Sequence, residues 1–146
     1  MSSDNSPHPM TLFDASARAM SAQLVRMNAA ASNMANAGTV AASPQTAYRA
    51  LRPVFASVLD TATGIATVKV QGVYQSNAAP VRQHDPDNPL ADANGDTWAS
   101  GVDENAEMIE MSEASRQYQN VVEALQTAKQ LSVLSTDMSR LVEARA

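Results

Sequence analysis

From Leu12 to Asn36 the chain has no Gly or Pro, and Phe13, Ala17, Met20, Leu24, Met27, Ala31 and Met34 recur with gaps alternating between four and three. That spacing keeps one face of a helix apolar, so it predicts a helix carrying a heptad seam for a partner. Thr11 or Ser6 stands where the helix could be capped at its start, and Gly38 where a left-handed C-terminal cap is favoured. A second stretch free of Gly and Pro runs from about Asp103 to Glu143. Its seam is Met111, Ala114, Tyr118, Val121, Leu125, Ala128, Leu131, Leu134, Met138 and Leu141, with consecutive gaps of three around Ala128 that overwind the repeat locally. Asp103, Glu104, Glu107 and Glu110 crowd its first turns, where carboxylates suit the positive end of the helix dipole. At ~1.5 Å per residue the second helix is ~60 Å long and the first ~37 Å. A compact chain of this length is only ~38 Å across, so the longer helix must project from any globule.

The middle of the chain has a different pattern. Pro44 to Val102 holds Pro44, Pro53, Pro80, Pro86 and Pro89 and most of the β-branched residues. Tyr48 to Leu59 reads as a strand region bent at Pro53. Ile65 to Tyr74 alternates, with Val68 and Val70 on one face and Thr67, Lys69 and Gln71 on the other. Asp60 to Gly64 forms the turn between them, and Val81 to Gln83 adds a short third strand. Asp85-Pro86-Asp87-Asn88-Pro89 and Asp92-Ala93-Asn94-Gly95-Asp96 read as loop and turn. The expected fold is therefore α+β and mostly α, with long N- and C-terminal helices paired as a coiled-coil-like bundle and a small β element inserted between them. The corresponding segments are a leader over residues 1–10, a helix and linker over 11–43, a β-rich region over 44–102 and a long helix over 103–146.

Composition sharpens this picture. Of 146 residues, 45% are hydrophobic, but 27 are alanine, leaving 38 with side chains large enough to fill a core, and only six of those are aromatic. Such a chain buries little by itself, which favours helices completed by neighbours. A net charge of −5 speaks against nonspecific binding to nucleic acid or to an anionic membrane. Zero cysteines remove disulfides, thiolate metal sites and cysteine nucleophiles together. No run approaches the roughly 18 apolar residues of a membrane-spanning helix, so no membrane insertion is expected. The first ten residues lack the basic and apolar regions of a cleavable secretory signal, and any export is expected to use another route.

Several motifs carry a specific resemblance. Asn28-Ala29-Ala30-Ala31-Ser32-Asn33-Met34-Ala35-Asn36-Ala37-Gly38-Thr39 closes the first helix with a Ser-Asn-x-Ala-Asn segment. Tyr48-Arg49, Asp85-Pro86-Asp87-Asn88-Pro89-Leu90-Ala91-Asp92-Ala93-Asn94-Gly95, Glu107-Met108 and Ala114-Ser115-Arg116-Gln117-Tyr118-Gln119-Asn120-Val121 follow in that order. Together they resemble the axial proteins of the bacterial flagellum, and within them the proximal-rod FlgC family, over about Leu12 to Leu141. The chain departs from the family in having Ser100-Gly101-Val102-Asp103 where Pro-Asn-Val-Asp is usual, and in its residues 1–10. The resemblance implies a non-enzymatic subunit without a cofactor, polymerising helically into the rod of the basal body across the periplasm. It implies export uncleaved through the flagellar export apparatus. Implied partners are copies of itself, the second proximal-rod protein, the ring-to-rod adaptor and the distal-rod subunit. Expected subunit contacts are the seam residues Phe13, Met20, Leu24, Met27, Met34, Met111, Tyr118, Val121, Leu125, Leu131, Leu134, Met138 and Leu141. The resemblance adds Asn33, Asn36, Arg116 and Asn120.

Other readings of the same residues compete. Asp92, Asn94 and Asp96 occupy positions 1, 3 and 5 of an EF-hand-like calcium loop with Asp103 at 12, but Thr97 replaces the glycine at 6. Plain turn chemistry accounts for the same residues. His8 and His84 are single histidines in polar loops and read as solvated. No Gly-x-Ser-x-Gly elbow supports a nucleophile. Eight carboxylates between Asp85 and Glu110 are either a solvated face or a complementary contact between subunits. Arg116 could pair locally with Glu113. The rival function is a secreted helical binding module, an effector or adhesin, that never polymerises.

Overall fold

A computed structural model describes residues 9–145. The helix α1 spans Leu12–Ala35 and the helix α2 spans Glu104–Glu143. Between them lie the strands β1 (Val40–Ala41), β2 (Leu51–Leu59), β3 (Ala66–Gln75), β4 (Val81–His84) and β5 (Asp96–Ala99). Thr11 starts α1 through a reciprocal cap: its hydroxyl accepts the Asp14 N–H at 3.1 Å, and the Asp14 carboxylate accepts the Thr11 N–H at 2.9 Å. The alternative start at Ser6, like most of the expected leader, lies outside the described residues. Asp103 starts α2 by accepting from the Asn105 and Ala106 N–H groups.

The far end of α1 differs from expectation. Asn36 closes the helix, its side-chain amide donating to the Ser32 carbonyl at 2.8 Å, while Gly38 keeps a negative φ. The Asn36 N–H is shared between the Ser32 and Asn33 carbonyls and the Ala37 N–H goes to the Met34 carbonyl, so the last turn closes by tightened backbone bonds without a left-handed glycine. The connection into α2 does use one: Gly101 sits at φ 65°, and Ser100 donates to the Ala37 carbonyl at 2.8 Å. Ser100-Gly101 thus ties the start of α2 to the end of α1.

Layering follows from residue size. Helix α1 is the spine, packed against α2 on one side and the β2–β3 hairpin on another. The helices run antiparallel, since Gln23 meets Gln117, Arg26 meets Glu110 and Asn33 meets Glu107. The buried apolar side chains are Met10, Ala15, Ala22, Ala29, Ala30, Ala47 and Ala114, so alanine is nearly the whole core. Ala15, Ala22 and Ala29 keep the heptad spacing, but two residues from the seam expected through Phe13, Met20, Leu24 and Met27. The reason is steric: a helix held between two layers turns its smallest residues inward so that backbones approach, and the larger ones move to the flanks. Phe13 and Leu24 are exposed, and Met20, Met27 and Met34 are half-buried. On α2 the expected seam holds better, with Ala114 fully buried and Met111, Tyr118, Val121, Leu125 and Ala128 half-buried.

The β region is two small sheets. Strands β2 and β3 pair antiparallel from Leu51↔Gln75 to Leu59↔Ala66. Pro53 stays in register opposite Val73; the irregularity falls instead between Val54 and Phe55, where Gln71 is the extra residue on β3. The turn from Asp60 to Ile65 closes with Gly64 at φ 71°. Its tip is tied to the start of α1, because Asp60 accepts the Met10 N–H at 2.6 Å and Thr67 donates to the Ala15 carbonyl at 2.9 Å. That bond explains why Thr67 is buried although it alternates with exposed Lys69 and Gln71. The other sheet has the order β1-β5-β4. Strands β1 and β5 lie in segments that read as linker and turn, since two- and four-residue strands are too short to show a period.

Ala114 is 0% exposed where α2 packs on α1. Ala114→Leu is therefore expected to destabilise the fold by about 1–3 kcal/mol through forced separation of the helices. Urea unfolding of the two proteins measures it; an unchanged midpoint would contradict the alanine-to-backbone packing.

Candidate assembly surface

Where α1 ends, β2 begins and α2 begins, one side chain meets all three. Asn33 is 0% exposed. Its carbonyl oxygen accepts the Leu51 N–H at 2.7 Å and the Tyr48 hydroxyl at 2.9 Å. Its amide donates to the Leu51 carbonyl at 3.0 Å and to Glu107 Oε2 at 2.9 Å. These four bonds use every donor and acceptor position of the carboxamide. Toward Leu51 it behaves as a strand partner, matching one N–H and one C=O. Glu107, 2% exposed, is neutralised on its other oxygen by Arg52 Nη1 at 2.7 Å. Asn33 was expected at a subunit contact; its position and bonding make it an internal organiser instead. Asn36, half-buried, is likewise engaged with its own helix.

Further along α1, Arg26 bridges the helices. Its Nε donates to Glu110 Oε1 at 2.7 Å and its Nη1 to Gln23 Oε1 at 2.9 Å, while Gln23 also bonds Gln117. The bond from Arg26 holds the Glu110 carboxyl below its ordinary pKa and raises that of the guanidinium. This polar ladder fixes the register of two helices whose fully buried apolar residues are alanines.

Past Ala128, α2 has no partner among the described residues. Every described residue from Lys129 to Arg145 is exposed, including the expected contacts Leu131, Leu134, Met138 and Leu141, each more than half exposed. Val142 widens this apolar face, and Val133 is exposed on another side of the helix. Phe13 and Leu24 on α1 are exposed too. Arg116 and Asn120 are exposed, and Arg116 lies 3.7 Å from Glu113, the local pair considered above. The interface expectations thus divide between a half-buried stretch of the helix pair and a projecting C-terminal end.

The Asp92–Asp96 loop is occupied by its own chain. Asp92 accepts the Asn94 and Asp96 N–H groups, and the Asp96 carboxylate is held by Arg82 and by His84 Nδ1 at 3.0 Å. Arg82, and secondarily His84, keep the Asp96 carboxyl below the usual carboxylate range. With those oxygens turned to internal donors, the loop is a turn with a charged clasp, and no acidic cluster of metal-binding geometry occurs among the described residues. No described helix is long and apolar enough to cross a membrane.

Residues 93–132 match the family described as flagellar basal body rod FlgEFG protein C-terminal. That stretch runs from the Asp92–Asp96 turn through β5, Glu107 and the ladder to the start of the projecting helix. The flagellar basal-body rod protein FlgC of Salmonella typhimurium is 43% identical over 124 residues, covering 84% of this chain and 91% of that protein. The chain belongs to the FlgC family of flagellar basal-body rod proteins. FlgC of Yersinia enterocolitica is 38% identical over 122 residues, and FlgC of Agrobacterium fabrum 31% over 117, covering 80% of this chain. The motifs place this FlgC-family chain correctly, yet they do not show Tyr48, Leu51 and Glu107 as partners of Asn33, or Arg52 as the partner of Glu107. The available signal was Tyr48 and Glu107 inside distinctive motifs; the acidic helix start disguised Glu107 as one more solvated carboxylate.

Two outcomes follow from the knot and the ladder. Asn33→Ala leaves both polar groups of Leu51 and one Glu107 oxygen without a partner, with Tyr48 keeping only its bond to Ser32, and is expected to cost at least about 3 kcal/mol, read from the urea midpoint. Asp14, Asp60, Asp96 and Glu110 all have depressed pKa values, from the bonds to Thr11, Met10, Arg82 and Arg26 respectively. Their stabilisation is fully present above the ordinary carboxylate pKa of about 4 and disappears as pH falls through the lower folded values. Thermal unfolding should accordingly shift down as pH falls below about 4, and Glu110→Gln should reduce that shift.

Proposed function

We propose that this chain, by family a structural subunit of the flagellar basal-body rod, polymerises through its terminal helices into the drive shaft of motility. One observation carries the mechanism: α2 extends past its pairing with α1 and leaves Leu131, Leu134, Met138 and Leu141 exposed, uncovered by any other described residue. The fifteen residues from Lys129 to Glu143 extend about 22 Å at helical rise. An isolated helix of that length is marginal in water. Covering one large apolar side chain contributes about 1.5–3 kcal/mol, so neighbouring subunits supply what the alanine core cannot. Coiled-coil-like packing of the helix pairs would close the inner tube, with the β sheets outside it.

Self-association and contact with other rod components follow from that role. The second proximal-rod protein, the ring-to-rod adaptor and the distal-rod subunit are the expected neighbours, reached after uncleaved passage through the flagellar export apparatus. The location is the basal body, with the rod crossing the periplasm. Nothing in this role calls for catalysis or a cofactor.

Leu134→Asp with Met138→Asp should leave the urea midpoint of the subunit nearly unchanged, because both positions are exposed in the free chain. The same variant should abolish motility, as should deletion of Leu12–Asn36 or of the segment beyond Leu125. Electron microscopy of basal bodies from a strain lacking the gene is the direct check: intact rods would refute the proposal.

A further inference from the structure

A groove runs between the first half of α1 and the tip half of the hairpin. Its floor is Val58, Val68 and Val70, all half-buried, and its rims carry Arg18 and Lys69, both exposed; it encloses about 530 Å³. Neither cation is in an ion pair among the described residues, whose pairs use Arg26, Arg52, Arg82, His84, Arg116 and Arg140. An apolar trough flanked by two free cations suits an apolar side chain with carboxylates beside it.

The same chain displays that combination elsewhere. In the β4–β5 loop, Asp85 Oδ2 accepts from Asn88 Nδ2 at 3.1 Å, and Asn88 Oδ1 accepts the Leu90 N–H at 3.0 Å. The Asp85 N–H reaches the Gly95 carbonyl at 2.9 Å. These bonds build a preformed knuckle that presents Leu90, 44% exposed, beside the exposed carboxylates of Asp85 and Asp87. Neither β4 nor β5 packs against α1, β2 or β3, so the knuckle and the groove are separate surfaces of one subunit.

We propose that the groove receives the Asp85–Leu90 knuckle of a second copy, with Leu90 over Val58, Val68 and Val70 and the carboxylates beside Arg18 and Lys69. The inference rests on the polymeric role proposed above and adds a contact outside the terminal helices. Two different patches meeting in this way form a heterologous contact, which propagates head to tail instead of closing into a dimer. Both surfaces are already shaped in the free chain, so little ordering opposes the contact. It also gives the acidic loop a use that its internal hydrogen bonds leave open.

Charge reversal with rescue tests it on the purified full chain. Sedimentation velocity over a concentration series is expected to show that Arg18→Glu with Lys69→Glu weakens self-association by at least about tenfold, as does Asp85→Lys with Asp87→Lys. Combining the four changes should restore it to within about threefold of wild type. Circular dichroism should change little, since all four side chains are exposed, and Asn88→Ala, which breaks the Asp85–Asn88 bond without altering charge, should weaken self-association far less than the reversals. Undiminished self-association of the groove variant, or no recovery in the combined variant, overturns the knuckle as occupant. Leu134→Asp separates the two ideas: if it abolishes assembly while the charge reversals do nothing, the polymeric role stands and the groove contact is wrong.

Discussion

The fold turns on one carboxamide. Asn33 is a neutral side chain with two donors and two acceptors, and each is spent on a different structural element or on both polar groups of Leu51. The end of α1, the first residue of β2 and the first turns of α2 are thereby fixed at one point. A chain with a large apolar core could orient such elements by shape. Here the packed interior is alanine, which brings backbones close but specifies angle and register poorly, and a saturated polar knot supplies that specificity. The buried Glu107 carboxylate belongs to the same logic: it is tolerable only because Asn33 and Arg52 both engage it.

From that point the structure becomes less self-sufficient toward the C-terminus. Near the knot, α2 is held by Asn33 and Arg26; farther on, Tyr118, Val121 and Leu125 are half-buried in the stretch paired with α1; past Ala128 no described residue covers it. This gradient places specific, directional bonds where the subunit must be defined and nonspecific apolar surface where it must meet others. The thin core of the subunit and the exposed face of its long helix are two views of one division of apolar residues.

Much of this was legible in the sequence. Helix positions and lengths came from long stretches without Gly or Pro and from 3.6-residue periodicity, and Thr11 and Asp103 marked the helix starts by chemistry that is local. The hairpin came from alternation around an Asp-to-Gly turn. The face of α1 did not: periodicity identifies an apolar stripe, but which edge of the stripe faces inward depends on how closely two neighbouring layers approach. Ala15, Ala22 and Ala29 won over Phe13, Met20 and Leu24 for that reason. Strands β1 and β5 were hidden because so few residues carry no measurable period.

By itself, then, the sequence determined the order of the two helices and the hairpin between them, the helix starts at Thr11 and Asp103, the excess length of α2 and the motifs that place the chain in its family, all of which depend on residues near one another in the chain. Tertiary structure decided the rest. Asn33 and Glu107 stand 74 positions apart, and Asn33 and Leu51 stand 18 apart. Only folding brings them within hydrogen-bond distance. Whether an asparagine near a helix end is a cap, a contact for another subunit or the centre of the fold depends on what is buried around it, and burial is a property of the assembled layers.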